Sequence, residues 1–202
     1  MKKLSTYIFL FFLSFSAIII LSICFIVPSQ ADDINEFEIN EMSTGDSALN
    51  FFSKQELNNK RFMYDDKRFV GVSKYIENSP YEGVSVEFEV NDRNLIIKAM
   101  NGKVLYDDKN FEDCYKAEKK IVNELKAIFK DSAKYNNWGI SPHPGDKSGK
   151  SVGSHHQFDM NDGSGFIMVE CMNWSEETGF TDNLKVSIIT DEFNDFLAGV
   201  YK

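Results

Sequence analysis

The densest group of side chains with metal-binding chemistry lies in the last third of this 202-residue chain. His155 and Asp159 lie close together in sequence, and His143 lies upstream of them. Imidazole and carboxylate groups are typical ligands of Zn²⁺, and bound zinc activates water for hydrolysis. One hypothesis is therefore a small metal-dependent hydrolase that uses His143, His155 and Asp159.

The alternation along this segment argues against a metal site. Successive side chains of a strand point to opposite faces, so His155 and His156 cannot easily bind one ion. Phe158 and Met160 mark the face of His156 as buried, which leaves His155 and Asp159 on the wet face. We favour a hairpin with one packed and one solvated histidine, and we expect no metal and no other cofactor.

Two further motifs fail on spacing. Residues 159–163 partly match a calcium-binding EF-hand loop, but Gly163 comes one position early and Val169 stands where the loop needs a glutamate. The run 163–165 is too short for the Gly-x-Ser-x-Gly motif of a serine nucleophile. We therefore assign no catalytic residue.

Aromatic residues in predicted loops supply the candidate binding surface. They are Trp138, Trp174 and Phe180. Exposed aromatic side chains often mark a binding surface, because they bury a large area on contact. The alternative, which we favour for these three, is that they fold back and cover the sheet.

The sequence predicts several strands between residues 84 and 106. Apolar and polar residues alternate over 84–90, which is typical of a strand with one buried face. Further strands are predicted at 95–100 and 103–106. Asn101 and Gly102 between them are typical of a tight hairpin turn.

A helix is predicted at 111–130, where apolar residues recur at helical spacing and no glycine or proline intervenes. Asn110 is suited to cap its start. The segment 132–153 then holds two prolines and four glycines, which predicts a long loop that is either functional or mobile.

The final third repeats this plan. Strands are predicted at 154–160, 165–173 and 184–188, followed by a helix that begins near Asp191. Two strand meanders, each followed by a helix, indicate an α+β fold with a mainly antiparallel sheet. We expect the helices to pack on one face of that sheet.

Cys114 and Cys171 are predicted to form a disulfide. Cys114 lies in the predicted helix, and Cys171 lies in a strand with Ile167 and Val169 on the same face. Such a bond would tie helix to sheet if the Cα atoms are about 4.4–6.8 Å apart. Two buried free thiols are the alternative.

The N-terminus has the composition of an export sequence. Lys2 and Lys3 precede an uncharged, apolar stretch at 7–27. Ser29 and Ala31 occupy the positions required for signal-peptide cleavage before residue 32. The length of the apolar stretch also fits an uncleaved membrane anchor, and lipid attachment at Cys24 is disfavoured by the large residue before it.

The rest of the chain is acidic. Both charges of residues 1–31 are lysines, so the remainder carries 20 basic and 31 acidic residues, a net charge of −11. We expect an acidic linker at 32–46 and a single α+β domain at 47–202. A negative domain without a basic cluster does not favour nucleic-acid binding, and membrane contact is expected only through 7–27.

These features predict an extracytoplasmic protein, periplasmic or secreted, in which 132–153 and its neighbours contact an unknown protein or small-molecule ligand. We favour a non-enzymatic binding module. The metal-dependent hydrolase and a structural or assembly subunit of the cell envelope are the alternatives.

Overall fold

The computed structural model describes residues 33–59, 61–64, 67–106, 110–143 and 146–200. The predicted signal peptide or anchor at 1–31 lies outside these residues. No helix within the described part is long and apolar enough to cross a membrane.

The described residues form one eight-stranded sheet in which every neighbouring pair of strands is antiparallel. The strand order is β1-β2-β3-β4-β8-β7-β6-β5, so two four-strand meanders meet where β4 pairs with β8. This confirms the mixed α+β class, with sheet predominating. The strands are β1 (Arg61–Met63), β2 (Phe69–Tyr75), β3 (Gly83–Glu89), β4 (Ile97–Leu105), β5 (Ala133–Pro142), β6 (Val152–Met160), β7 (Gly165–Asn173) and β8 (Asn183–Thr190).

Three α-helices accompany the sheet in the described part: α1 (Lys54–Asn59), α2 (Glu112–Ile128) and α3 (Asp191–Val200). Short 3-10 helices lie at Ile34–Glu36, Ala48–Asn50 and Glu176–Thr178. A capping box starts α1, because Ser53 N donates to Glu56 Oε2 at 2.8 Å and Glu56 N donates to Ser53 Oγ at 3.2 Å. The predicted central helix is confirmed as α2.

The two faces of the sheet differ in polarity. Val86 on β3, Met100 on β4 and Val186 on β8 are fully buried and belong to the main hydrophobic core. We call their side of the sheet the core face, and α2 packs there through Val122 and Leu125. The opposite side, which we call the open face, carries Ser85, Asn101, Lys103, Lys185 and Ser187.

The last helix, α3, covers one end of the open face. Its Phe193 and Phe196 pack with Phe69 and Ile189, whereas the neighbouring Ile188 belongs to the main core. Adjacent residues of a strand point to opposite faces, so α2 and α3 lie on opposite sides of the sheet. We expected both helices on one face. The structure differs because α3 follows β8 directly and its phenylalanines cover apolar residues on that side.

The stretch expected to be an acidic linker packs onto the sheet over its described residues, 33–46. Ile34, Ile39 and Met42 are buried in the main core. Backbone hydrogen bonds also join the stretch to β4, including Gly45 N to Ile97 O at 2.9 Å. The stretch therefore packs against the domain through its apolar residues, although it is acidic.

The turn predicted at Asn101 and Gly102 does not occur, because β4 runs straight through both residues. Asn101 pairs with Ser85 on β3 and with Ser187 on β8. A side chain at 102 would meet the ring of Tyr81 at 2.7 Å. This glycine therefore allows close packing against the strand and does not turn the chain.

The long loop predicted at 132–153 is instead largely strand. β5 occupies residues 133–142 at one edge of the sheet and pairs with β6 throughout. The register shifts between Asn137 and Gly139, and Gly139 has φ +70°. A bulge and a proline are usual features of an edge strand, where unpaired groups face solvent, so the glycines and prolines that predicted a loop fit an edge strand equally well.

The predicted disulfide is present. Cys114 on α2 is bonded to Cys171 on β7, with the Cα atoms 6.0 Å apart. Both cysteines are fully buried in the main core. The bond holds α2 against the core face of the sheet.

Candidate functional site

Charged side chains form a row across four strands of the open face. Cross-strand pairing places Lys103 opposite Lys185, Lys185 opposite Glu170, and Glu170 opposite His155. Directly opposed residues on one face have Cβ atoms about 4.5–5.5 Å apart, which is close enough to interact. The row therefore forms a continuous charged floor at the centre of the sheet.

Glu170 is the anionic centre of this row. Its Oε2 lies 2.6 Å from Lys185 Nζ, and its Oε1 lies 2.7 Å from His155 Nδ1. Burial alone would raise the pKa of this carboxyl group, but the Lys185 ammonium and the hydrogen bond from His155 outweigh it and lower the pKa to about 2. Glu170 is thus an ionised, nearly inaccessible carboxylate.

Lys103 lacks such a partner. No described carboxylate lies within ion-pair distance of its ammonium group, while Lys185 stands directly opposite. Desolvation and the positive charge of Lys185 lower the pKa of Lys103. Its side chain is exposed, so it presents a cation to whatever occupies the open face.

A second, uncharged row runs beside the first. Ser187 Oγ donates to Asn101 Oδ1 at 2.7 Å, and Asn101 Nδ2 donates to Ser85 Oγ at 3.0 Å. Glu87 ends this network, with Oε1 accepting from Ser85 Oγ at 3.4 Å and Oε2 without a hydrogen-bond partner. Burial raises the pKa of Glu87 to about 8, so at neutral pH this carboxyl group is mostly protonated and uncharged.

Two adjoining cavities, with volumes of about 450 Å³ and 340 Å³, open at one end of these rows, where Lys103, Lys185 and Ser85 line them. They share Tyr75, Lys103 and Leu105, so they form one continuous depression, which we call the open-face groove. Clefts of a few hundred Å³ are of the size that holds small ligands. The other lining residues are Ser73, Lys74, Gly83, Val84, Ser85, Met172, Trp174, Phe180, Thr181, Asn183 and Lys185.

Aromatic side chains form the walls of the groove. The ring of Trp174 lies 4.9 Å from that of Phe180 and 4.6 Å from that of His143. Tyr75 stands on the other side and is 76% exposed. The prediction that Trp174 and Phe180 cover the sheet therefore holds only in part, because Phe180 remains 66% exposed.

The loop between β5 and β6 is fastened beside this wall by Asp146. Its Oδ2 accepts from Ser151 N at 2.9 Å, Ser148 Oγ at 2.8 Å and Ser175 Oγ at 3.2 Å. The hydrogen bonds from Ser151 and Ser148 hold the pKa of Asp146 well below its usual range. Because Ser175 follows Trp174, this carboxylate helps to fix the position of the indole.

The three residues proposed for a metal site do not converge. His155 binds Glu170, whereas Asp159 accepts from Asn136 Nδ2 at 2.6 Å and also binds Gln157. His143 packs against Trp174. The described residues contain no group of three or more His, Cys, Asp or Glu side chains that could hold a metal ion.

The other histidine of the pair, His156, points to the core face as its neighbours predicted. Its Nδ1 lies 2.7 Å from Tyr135 Oη, and its Nε2 lies 3.6 Å from Glu118 Oε2 on α2. Glu118 Oε1 accepts from Ser154 Oγ at 2.5 Å and from Cys171 N at 3.1 Å. This cluster joins α2 to the sheet next to the disulfide, and Glu118 is buried within it.

Trp138 lies apart from the other two aromatic candidates. It occupies the bulge of edge strand β5 and is 66% exposed. Lys103, Lys185 and Glu170 were not predicted as site residues from the sequence. Each stands at a polar position of an alternating strand, but their convergence depends on the pairing of β4 with β8, which joins residues about 80 positions apart.

The chain matches no protein-family model, no curated protein and no solved structure. The chemistry of the groove is therefore the guide to function. That chemistry is an aromatic-walled depression over Lys103, which has no carboxylate partner among the described residues.

Proposed function

We propose that the protein is an exported, non-enzymatic binding module that holds its ligand in the open-face groove. One observation carries this proposal: two adjoining cavities share Tyr75, Lys103 and Leu105 and so form a single depression over the sheet. Binding sites are typically concave and mostly apolar, with a small number of convergent polar groups. The groove has this composition.

The side chains suited to catalysis are engaged in other contacts. His155 Nδ1 binds Glu170 and His156 Nδ1 binds Tyr135, and neither ring is hydrogen-bonded to a described serine or cysteine, as a nucleophilic mechanism requires. Cys114 and Cys171 are joined in the disulfide. These contacts favour binding over catalysis.

An extracytoplasmic location fits the disulfide, since such bonds persist in oxidising compartments. The apolar N-terminal stretch at 7–27 supports the same location. We infer that the domain acts in the periplasm or outside the cell, either released by cleavage or held by its N-terminal segment.

Trp fluorescence tests the proposal, because the chain has two tryptophans and one of them lines the groove. In the Trp138→Phe variant of the full chain, Trp174 is the sole tryptophan. Small molecules that raise the melting temperature of this variant should also change the emission of Trp174.

Tyr75→Ala and Trp138→Ala form a matched pair for these ligands, because both residues are exposed and only Tyr75 lines the groove. Tyr75→Ala should weaken binding about tenfold through lost aromatic contact, and Trp138→Ala should not. Ligands that stabilise the fold equally in both variants and leave Trp174 emission unchanged would contradict the proposal.

A further inference from the structure

The groove lies over two lysines, whereas the domain as a whole is acidic. Residues 32–202 have a net charge of −11, yet Lys103 and Lys185 stand side by side on the floor. Like charges directly opposed on neighbouring strands destabilise a sheet. An anion placed between the two ammonium groups would relieve this repulsion.

The carboxylates of the open face offset that positive charge only in part. Glu170 is bound to Lys185 and His155, so its carboxylate pairs with these two residues and not with Lys103. Glu87 lies in the neighbouring uncharged row, where it bonds Ser85. Lys103 is thus the cation on this floor that has no described carboxylate within ion-pair distance.

The walls around Lys103 are apolar and aromatic. Leu105, Met172, Trp174 and Phe180 line one cavity together with Lys103, and Tyr75 joins it to the other. A flat or aliphatic body would gain free energy by covering these side chains. A highly charged molecule would instead meet the repulsion of the surrounding acidic domain.

We propose that the ligand of the open-face groove is a small organic monoanion, whose acidic group lies between Lys103 and Lys185 and whose apolar body packs against Trp174 and Phe180. This rests on the proposed function and names the ligand class for the same site. Carboxylate and sulfonate groups share the required chemistry, and a phosphate monoester with two charges is disfavoured.

A matched pair of probes separates charge from shape. Naphthalene-2-carboxylate and naphthalene-2-carboxamide have the same flat body and differ in charge. Titrated into the Trp138→Phe protein at neutral pH, both should change Trp174 emission, and the carboxylate should bind about tenfold more tightly, as one charge-assisted contact allows. Naphthalene-2-sulfonate should behave like the carboxylate, and naphthyl phosphate should bind less tightly than either.

Lys103→Gln should remove the preference for the carboxylate and leave the affinity for the carboxamide unchanged. Lys119→Gln is the control, because Lys119 is an exposed lysine on α2, and it should leave both affinities unchanged. A preference that survives Lys103→Gln would overturn the inference. If the two probes bind equally well and Tyr75→Ala weakens both, the inference of an anionic ligand is wrong. The groove would then still be a binding site. No binding of either probe at millimolar concentration would contradict both.

Discussion

Two adjacent histidines on β6 each face a buried glutamate, from opposite sides of the sheet. His155 lies 2.7 Å from Glu170 on the open face, and His156 lies 3.6 Å from Glu118 on the core face. The two glutamate side chains are equally buried, at 5% exposure. Their pKa values nevertheless shift in opposite directions.

The difference comes mainly from Lys185. Burial dominates at Glu118 and raises its pKa, although Ser154 and Cys171 donate hydrogen bonds to it. At Glu170 the ammonium group of Lys185, with the hydrogen bond from His155, outweighs burial, and the pKa falls to about 2. Two equally buried glutamates therefore have pKa shifts of opposite direction, chiefly according to whether a lysine lies beside the carboxylate.

The largest expected effect concerns the core face, where the disulfide holds α2 beside Glu118. Replacing both Cys114 and Cys171 by serine should lower the free energy of unfolding by about 4 kcal/mol, since a crosslink between residues 57 apart restricts the unfolded chain. Urea denaturation of the oxidised wild type and the double variant measures this loss. A loss below about 1 kcal/mol would show that α2 is held by packing alone.

On the open face, Glu170→Gln should lower the free energy of unfolding at pH 7 by about 3 kcal/mol, because it leaves Lys185 without its buried partner. A carboxyl group with a depressed pKa stabilises the fold above its unfolded pKa and loses that contribution as pH falls. The wild type should therefore lose stability between about pH 4.5 and 2, and the variant should not show that part of the loss. Identical pH profiles would contradict the assignment.

Glu87 provides a test with the opposite sign. Its pKa of about 8 in the fold exceeds the ordinary value of 4.5, so the folded state retains a proton that the unfolded state loses, and stability falls as pH rises between these values. Glu87→Gln removes this ionisation and should raise the free energy of unfolding at pH 8 by at least about 2 kcal/mol, with little change at pH 4. Denaturation at the two pH values measures it, and a variant that is less stable at pH 8 would refute this account.

Glu118→Gln should have the smallest effect, within about 1 kcal/mol at pH 7. The amide oxygen of glutamine can accept the same hydrogen bonds from Ser154 and Cys171, and the penalty of ionising a buried carboxyl group disappears. The difference between the stability losses of Glu170→Gln and Glu118→Gln measures the contribution of Lys185. Equal destabilisation by both substitutions would remove the distinction between the faces.

Local patterns in the sequence predicted the elements better than their arrangement. The stripe of α2, the hairpin of β6 and β7, and the opposite orientations of His155 and His156 follow from periodicity alone. The turn predicted at Asn101 and Gly102 was wrong, because Gly102 is needed for close packing against Tyr81. That contact is tertiary, so the local sequence does not reveal it. The pairing of Lys103 with Lys185 depends on strand order, which no local pattern contains.

The central claim is that the ligand binds in the open-face groove. Methyl NMR of the full chain, labelled at its methionines, tests this claim most directly. Met172 lines the groove, and Met160 lies on the core face as an internal reference. Titration with naphthalene-2-carboxylate should shift the Met172 methyl resonance in proportion to occupancy and leave that of Met160 in place. A shift at Met160 with none at Met172, or no shift at either at millimolar ligand, would contradict the account.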